Sequence, residues 1–303
     1  MTVAGGKKNM KILVTGGKGQ LGTDCVRVLR ELHEVLAIDL DELDITRLSD
    51  LEALVQKFMP NIIINCAAYT QVDNCEIEKD LAWNVNVTGT ENLVKCSEKQ
   101  GCRLIHISTD YVFDGSKKIP EPYVEKDKPN PVSYYGKTKY ESEKVVRKGA
   151  HRHVIIRPAW MYGVNGYNFL KTMLKLALNN PKDEIRVVND QYGSPTWSYG
   201  LALQIQRIIE TDAQGIYHAT AEGYCTWFEL AEYFLNKMQV PHTIVPCTSE
   251  EFPTRAKRPK NSILENRHLK EKGINIMSQW QDDIDRFVSS FREGLIGEIK
   301  KGK

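Results

Sequence analysis

The feature that most limits what this chain can fold into lies near its start. A short apolar run, spaced glycines, a helical pattern, a second apolar run and an acid follow one another in that order. Lys11-Ile12-Leu13-Val14-Thr15 reads as a buried strand, because a short apolar run bounded by turn residues suits a strand covered on both faces. It runs into Gly16-Gly17-Lys18-Gly19-Gln20-Leu21-Gly22, where Gly17, Gly19 and Gly22 fit G-x-G-x-x-G, and Gly16, Gly19 and Gly22 fit the looser G-x-x-G-x-x-G. Leu21, Cys25, Leu29 and Leu32 recur at helical spacing, and Val35-Leu36-Ala37-Ile38 forms the next strand, with Asp39 at its end. Glycines at such a turn let a pyrophosphate approach the backbone, and a helix N-terminus favours its charge. Asp39 stands where a carboxylate can bind an adenosine ribose hydroxyl. A glycine turn that merely joins strand to helix is the plain alternative; the ordered set favours a bound dinucleotide.

The alternation continues. A helix is expected from Ser49, as its N-cap, to Phe58, then a strand at Asn61-Ile62-Ile63-Ile64. A long helix over Leu81 to Glu98 and a strand at Leu104-Ile105-His106-Ile107 come next. Another helix spans about Tyr134 to Arg147, before the strand Val154-Ile155-Ile156-Arg157. This rhythm predicts an α/β fold, a Rossmann-like doubly wound parallel sheet. Beyond Pro158 the pattern loosens into helices at Asn168–Leu178, Trp197–Ile209, Trp227–Met238 and Trp280–Phe291, with Ile185–Val188 extended. Ile216-Tyr217-His218-Ala219 reads as a further central strand. The stripe Trp280, Ile284, Phe287, Val288 and Phe291 reads as packing. We expect an NAD(P)-binding domain over residues 10–160, joined again by 197–221, and a smaller α/β substrate domain from 161–196 and 222–293, with 1–9 a disordered leader.

Composition excludes several classes. Forty-one basic and thirty-nine acidic residues leave a net +2, which argues for neither a nucleic-acid nor a membrane partner. No apolar run reaches the roughly 18 residues of a membrane helix. Seven scattered cysteines without C-x-x-C indicate neither a zinc site nor a disulfide framework, and suggest reduced thiols in the cytoplasm.

Tyr135 and Lys139 are four positions apart, a spacing that stacks both on one helix face. A phenol titrates near pH 10, and a nearby ammonium lowers that value, so the pair can act in acid–base catalysis. A surface pair is the plain alternative, but position favours chemistry. Ser108-Thr109-Asp110 follows a strand directly, where an open parallel sheet places its ligand, and a hydroxyl from Ser108 or Thr109 can bond a substrate carbonyl. A turn shaped by Thr109 and Asp110 is the alternative there. Asn65-Cys66-Ala67-Ala68 is likewise a strand end, small enough for close cofactor approach.

Together the glycine loop, Asn65-Cys66-Ala67-Ala68, Ser108-Thr109-Asp110-Tyr111-Val112-Phe113 and Tyr135-x-x-x-Lys139 resemble the extended short-chain dehydrogenase/reductases. Tyr69-Thr70-x-Val72-Asp73-x-Cys75-Glu76, Arg157-Pro158-Ala159-Trp160-Met161-Tyr162-Gly163 and Asn168-Phe169-x-x-Thr172-Met173-Leu174 are more specific. With Asp190-Gln191-x-Gly193-x-Pro195-Thr196 and Arg258-Pro259-x-Asn261-Ser262, they resemble the dTDP-4-dehydrorhamnose reductase branch, over Met10 to about Phe291.

The resemblance implies reduction of a nucleotide-linked 4-keto sugar with NADPH or NADH. It makes Tyr135 the proton donor, with Lys139 tuning it and binding the nicotinamide ribose. Gly16, Gly19, Gln20, Leu21 and Gly22 would hold the cofactor phosphates, Asp39 the ribose, and Ala67 with Ala68 the adenosine half. Thr109, Asp110, Trp160, Asn168 and Arg258 would meet the sugar nucleotide, Arg258 through its diphosphate. Some family members bind magnesium through acidic residues at a dimer contact. Here Gly22-Thr23-Asp24 matches only part of that set, so magnesium and a homodimer stay open. Two rivals share the fold: a silent NAD(P)-binding regulatory subunit like the methionine adenosyltransferase β subunit, and another nucleotide-sugar epimerase or dehydratase. Intact Tyr135, Lys139 and Thr109 argue against the first; Tyr111 where dehydratases carry a second acid argues against a dehydratase.

Overall fold

Six apolar segments, β1 Lys11–Thr15, β2 Glu34–Ile38, β3 Ile62–Asn65, β4 Arg103–Ile107, β5 His153–Arg157 and β6 Gly215–His218, form one parallel sheet in the computed structural model, which describes residues 9–301. Apart from Asn9, the expected leader 1–9 lies outside the described residues. The strand order is β6-β5-β4-β3-β1-β2, with Ile12 beside Ile62 and Val14 beside Ile64. The helices are α1 Gln20–Leu29, α2 Leu48–Phe58, α3 Gly89–Gln100, α4 Tyr134–Gly149, α5 Phe169–Asn179, α6 Ser198–Ile209, α7 Trp227–Met238 and α8 Trp280–Lys301.

Successive side chains of a strand point to opposite faces, which is why these strands are apolar throughout. Ile12, Val14, Ile62 and Ile64 pack under α1 and α6, against Cys25, Leu29, Leu201 and Ile205. Leu13, Ile63, Leu104 and Ile155 face the other way, onto Leu51, Val55, Leu93 and Val146 of α2, α3 and α4. A separate core gathers Leu170, Leu174, Leu230, Phe234, Ile284 and Phe287 from α5, α7 and α8. Leu269 and Ile274 join the first core rather than this one. β1 lies between β2 and β3, so the connections on its two sides leave in opposite directions and open a crevice at the carboxyl ends of these strands.

Several local expectations are corrected. Arg47, not Ser49, precedes α2; Ser49 lies inside the first turn with its Oγ on Asp50 Oδ1 at 3.2 Å. The segment read as one long helix runs from Lys79 to Gln100 through a π-helical turn at Asn84–Thr88. β6 is an edge strand, not a central one, and Leu269 of the short helix Arg267–Glu271 packs into the core beside its Tyr217. α8 continues ten residues past Phe291, to Lys301. No described helix is long and apolar enough to cross a membrane.

Candidate active site

β1 delivers the chain to Gly16 at φ +67°, a left-handed conformation, and a Cβ there would stand 2.7 Å from the Ala67 backbone nitrogen. A Cβ on Gly22 would strike the Gly16 carbonyl. A Cβ on Gly17 would stand 2.8 Å from the Ala37 Cβ, so both glycine spacings are sterically required, and Gly16 alone of the loop takes the left-handed conformation. Gly19 precedes α1 and no side chain caps that helix, so its first backbone N–H groups suit an anion. Opposite, Asn65 Oδ1 accepts from Thr15 Oγ1 at 2.8 Å and from the Ala67 N–H at 3.2 Å, turning Ala67 and Ala68 toward the loop.

A hollow of about 360 Å³ lies here, lined by Gly16, Asp39, Ile45, Ala67 and Ala68 among others. Asp39 Oδ2 accepts the Lys18 N–H at 2.8 Å. The Lys18 ammonium pairs with Asp41 and Glu42, which hold its pKa up, so it is not left to balance Asp39.

Gly19, Cys66 and Ala68 also line a second hollow of about 480 Å³, so the two form one cleft. Gln20, Leu21, Gly22, Thr109, Asp110, Tyr135, Lys139 and Trp160 line this part. The structure thus brings thirteen of the fifteen expected site residues to one cleft. Ser133 caps α4, its Oγ accepting the Gly136 N–H at 3.2 Å, and Gly136 has no room for a Cβ beside the Tyr111 carbonyl. The helix start therefore sits directly on the Asp110–Val112 turn. The Tyr135 hydroxyl contacts the Thr109 side chain. Thr109 Oγ1 donates to Asp110 Oδ1 at 2.9 Å.

Burial governs the charges. It raises the Tyr135 phenol well above its ordinary value, the Asp110 charge adds to this, and Thr109 opposes it. Burial pushes Lys139 down to about 8 against the opposing pull of Glu143. Lowering of Tyr135 by Lys139 is not what this arrangement shows: the ammonium donates to the Ile107 carbonyl at 2.7 Å. Tyr135 is thus a neutral, proton-bearing phenol at pH 7. Burial also pushes Asp110 up to about 6, and its buried Oδ2 has no hydrogen-bond partner among the described residues.

Two expected substrate residues have other partners. Asn168 caps α5 through its Oδ1, and its Nδ2 donates to Gly163 O at 2.8 Å and Gln20 Oε1 at 3.0 Å, tying the phosphate loop to the second core. The Arg258 guanidinium grips Asp73 at 2.7 and 3.3 Å, so a carboxylate of the chain itself occupies the fork expected to meet a diphosphate.

Other residues were missed. Trp227 stacks on Trp160 with centroids 3.5 Å apart and lines the cleft; its place in the stripe of α7 marks it only as packing. Trp160 itself sits at φ +44°, a conformation that costs about 1–3 kcal/mol and is found at ligand sites. Asn86, in the π-helical turn, donates to Tyr69 O at 3.1 Å and Thr138 Oγ1 at 2.9 Å, joining the Ala67–Tyr69 segment to α4. A lone asparagine inside a helical pattern carries no signal of that. Asp24 is buried, accepting from Ser198 Oγ at 2.6 Å, and no cluster of three or more metal-binding side chains occurs among the described residues.

The comparisons with known proteins agree with this geometry. A family profile described as RmlD substrate binding domain matches residues 10–293. The dTDP-4-dehydrorhamnose reductase of Aggregatibacter actinomycetemcomitans is 39% identical, over 89% of this chain and 96% of its own length. The chain belongs to the dTDP-4-dehydrorhamnose reductase family. The crystal structure of a family enzyme from Bacillus anthracis, in complex with NADP, superposes with a TM-score of 0.90 at 38% identity, covering 93% of this chain and all of that one. A dTDP-4-keto-6-deoxy-D-glucose reductase of Streptomyces niveus is 36% identical over 88% of this chain and 93% of its own length.

Proposed function

We propose that the chain reduces the C4 keto group of dTDP-4-dehydro-L-rhamnose to dTDP-L-rhamnose with NADPH or NADH, with Tyr135 as proton donor. One observation carries the reading: a neutral buried phenol, a threonine hydroxyl, an unpartnered carboxylate oxygen and an ammonium line a hollow continuous with a glycine-loop crevice. The glycine positions that exclude any Cβ fit a dinucleotide, whose nicotinamide supplies a hydride when bound. The start of α1 holds its phosphates, Asp39 its adenosine ribose, and Lys139 its nicotinamide ribose.

Thr109 orients the sugar O4, Tyr135 gives that oxygen its proton, and Asp110 Oδ2 accepts a sugar hydroxyl. The Trp160–Trp227 wall keeps water from the reacting carbon. The first core carries the cofactor half, residues 10–160 with 197–221 and the Leu269–Ile274 segment packed onto it, and the other segments carry the sugar half.

The Streptomyces relative favours a second substrate, the D-gluco epimer of the keto sugar. Both are made in place from dTDP-glucose, with a 4,6-dehydratase alone or with the 3,5-epimerase, and the product is read by NMR. We expect stoichiometric cofactor oxidation and dTDP-L-rhamnose only when the epimerase is present. Reduction without it assigns the D-gluco substrate; NADPH binding without oxidation of either supports the regulatory rival.

A further inference from the structure

Glu143 is wholly buried and stands four residues past Lys139 and eight past Tyr135, so the three occupy successive turns of one face of α4. Its Oε1 accepts from Arg157 Nε and its Oε2 from Arg157 Nη2, both at 2.7 Å, and Arg157 is itself 1% exposed at the end of β5. Oε1 also accepts from Ser108 Oγ at 2.6 Å. One turn earlier the Lys139 ammonium donates to Ile107 O at 2.7 Å. Ile107 at the end of β4 and Ser108 just past it are thus stapled to two adjacent turns of α4, and the next residue is Thr109.

We propose that Glu143, held by Arg157 and bonded to Ser108, is a positioning residue that sets the register between the Thr109–Asp110 strand end and the face of α4 carrying Tyr135 and Lys139. This rests on the reading of Tyr135 and Thr109 given above. A buried ion pair contributes little net stability, because desolvation offsets its attraction. What the pair does supply is a fixed direction: a bidentate guanidinium leaves the carboxylate one orientation, and Ser108 is bonded along it. Helix α4 is seated at its start by Gly136 on the Tyr111 carbonyl and is tied to β4 by Ser142 on His106 Nε2 at 2.9 Å; the Glu143–Ser108 bond adds the one tie to the residue directly before Thr109. Hydroxyl and keto oxygen must meet within a few tenths of an ångström, and a shift near 1 Å costs about a hundredfold in rate.

Glu143 also acts on Lys139 through charge. The groups acting on that ammonium are Glu143 on its own helix, Cys66 beyond β3 and His106 on β4, with Arg157 behind Glu143 from β5. His106 is neutral, being buried, which leaves Glu143 as the strongest group resisting loss of the Lys139 charge.

Ser108→Ala cuts the tether and leaves the ion pair intact. It should lower kcat about 10- to 100-fold while the Kd for NADPH changes less than about twofold. Glu143→Gln should move the alkaline limb of the kcat profile to lower pH by roughly half a unit or more, because the Lys139 ammonium loses the carboxylate that most resists its deprotonation. If Glu143→Gln does not fold, the volume-matched double change Glu143→Leu with Arg157→Met replaces it, and the same limb is read. A role confined to folding predicts lost protein but an unmoved limb and normal kcat per folded molecule; that result, or an unchanged kcat in Ser108→Ala, overturns the proposal. Tyr135→Phe is run in parallel: if it keeps near-native turnover, the underlying reading of the site has failed rather than the clamp.

Discussion

Replacing Asp110 with asparagine should stabilise the protein near neutral pH while weakening the reaction. Asp110 is 2% exposed, one carboxylate oxygen accepts from Thr109, and the other has no partner among the described residues. Burial pushes it up to about 6, against about 3.9 for a free aspartate. The folded form therefore binds more protons between about pH 4 and 6, and stability falls as pH rises through that window, the loss being complete above it. A displacement of about two pH units corresponds to about 3 kcal/mol. Asparagine has no charge to desolvate, but its N–H at the unpartnered position forfeits about 1 kcal/mol, leaving a gain near 2 kcal/mol. In a chain of this length that is about 4 °C in Tm. Thermal unfolding followed by circular dichroism at pH 7.5 and pH 4 measures it: the variant should melt about 4 °C higher at pH 7.5, with the gap closing by pH 4. In the same protein kcat/KM for the keto sugar should fall about 10- to 100-fold, as a charged acceptor for a sugar hydroxyl is lost. Equal Tm values at pH 7.5, or a gap that ignores pH, would refute the account of Asp110 as a charge held under strain for binding.

Tyr135→Phe keeps the ring against Tyr111, whose centroid lies 5.6 Å away, and removes only the proton, so turnover should drop roughly 10²- to 10⁴-fold with NADPH binding unchanged; near-native turnover would remove it from the mechanism. Asp39→Ala should raise the NADPH-to-NADH ratio of kcat/KM about tenfold, because a carboxylate and a doubly charged phosphate about 6 Å apart in water repel by about 1.4 kcal/mol and Lys18 is already paired; a constant ratio would place Asp39 away from the ribose. Arg258→Ala should cost about 1–2 kcal/mol of stability through loss of the Asp73 pair, with the KM for the sugar nucleotide within about twofold. A tenfold rise in KM at unchanged Tm would return the diphosphate to Arg258.

Local pattern carried most of the fold and much of the cleft. The run Lys11–Thr15, the glycines and Asp39 were legible because a strand, a tight turn and a helix start each impose residue types within a few positions. Tyr135 and Lys139 were legible for the same reason, since spacing along one helix decides that both share a face. Thr109, Ala67 and Ala68 followed from the rule that a parallel sheet binds ligands beyond its carboxyl ends.

Partner choice between distant segments was not legible. No local pattern announced that Arg258 would pair with Asp73, or that Asn168 would bond Gln20, 148 residues away. The Lys139 charge could be foreseen, but not that it would bond the Ile107 carbonyl and leave burial to govern Tyr135. Spacing along a chain determines which side chains share a face, because helix and strand repeats are set by the backbone itself. Which face meets which depends on how whole elements pack, and a polar group takes whatever partner that packing brings within hydrogen-bond distance. The sequence alone therefore determined a doubly wound sheet with a dinucleotide crevice and a tyrosine–lysine face; only the tertiary structure decided that Glu143, Arg157 and Ser108 would hold that face in register with Thr109.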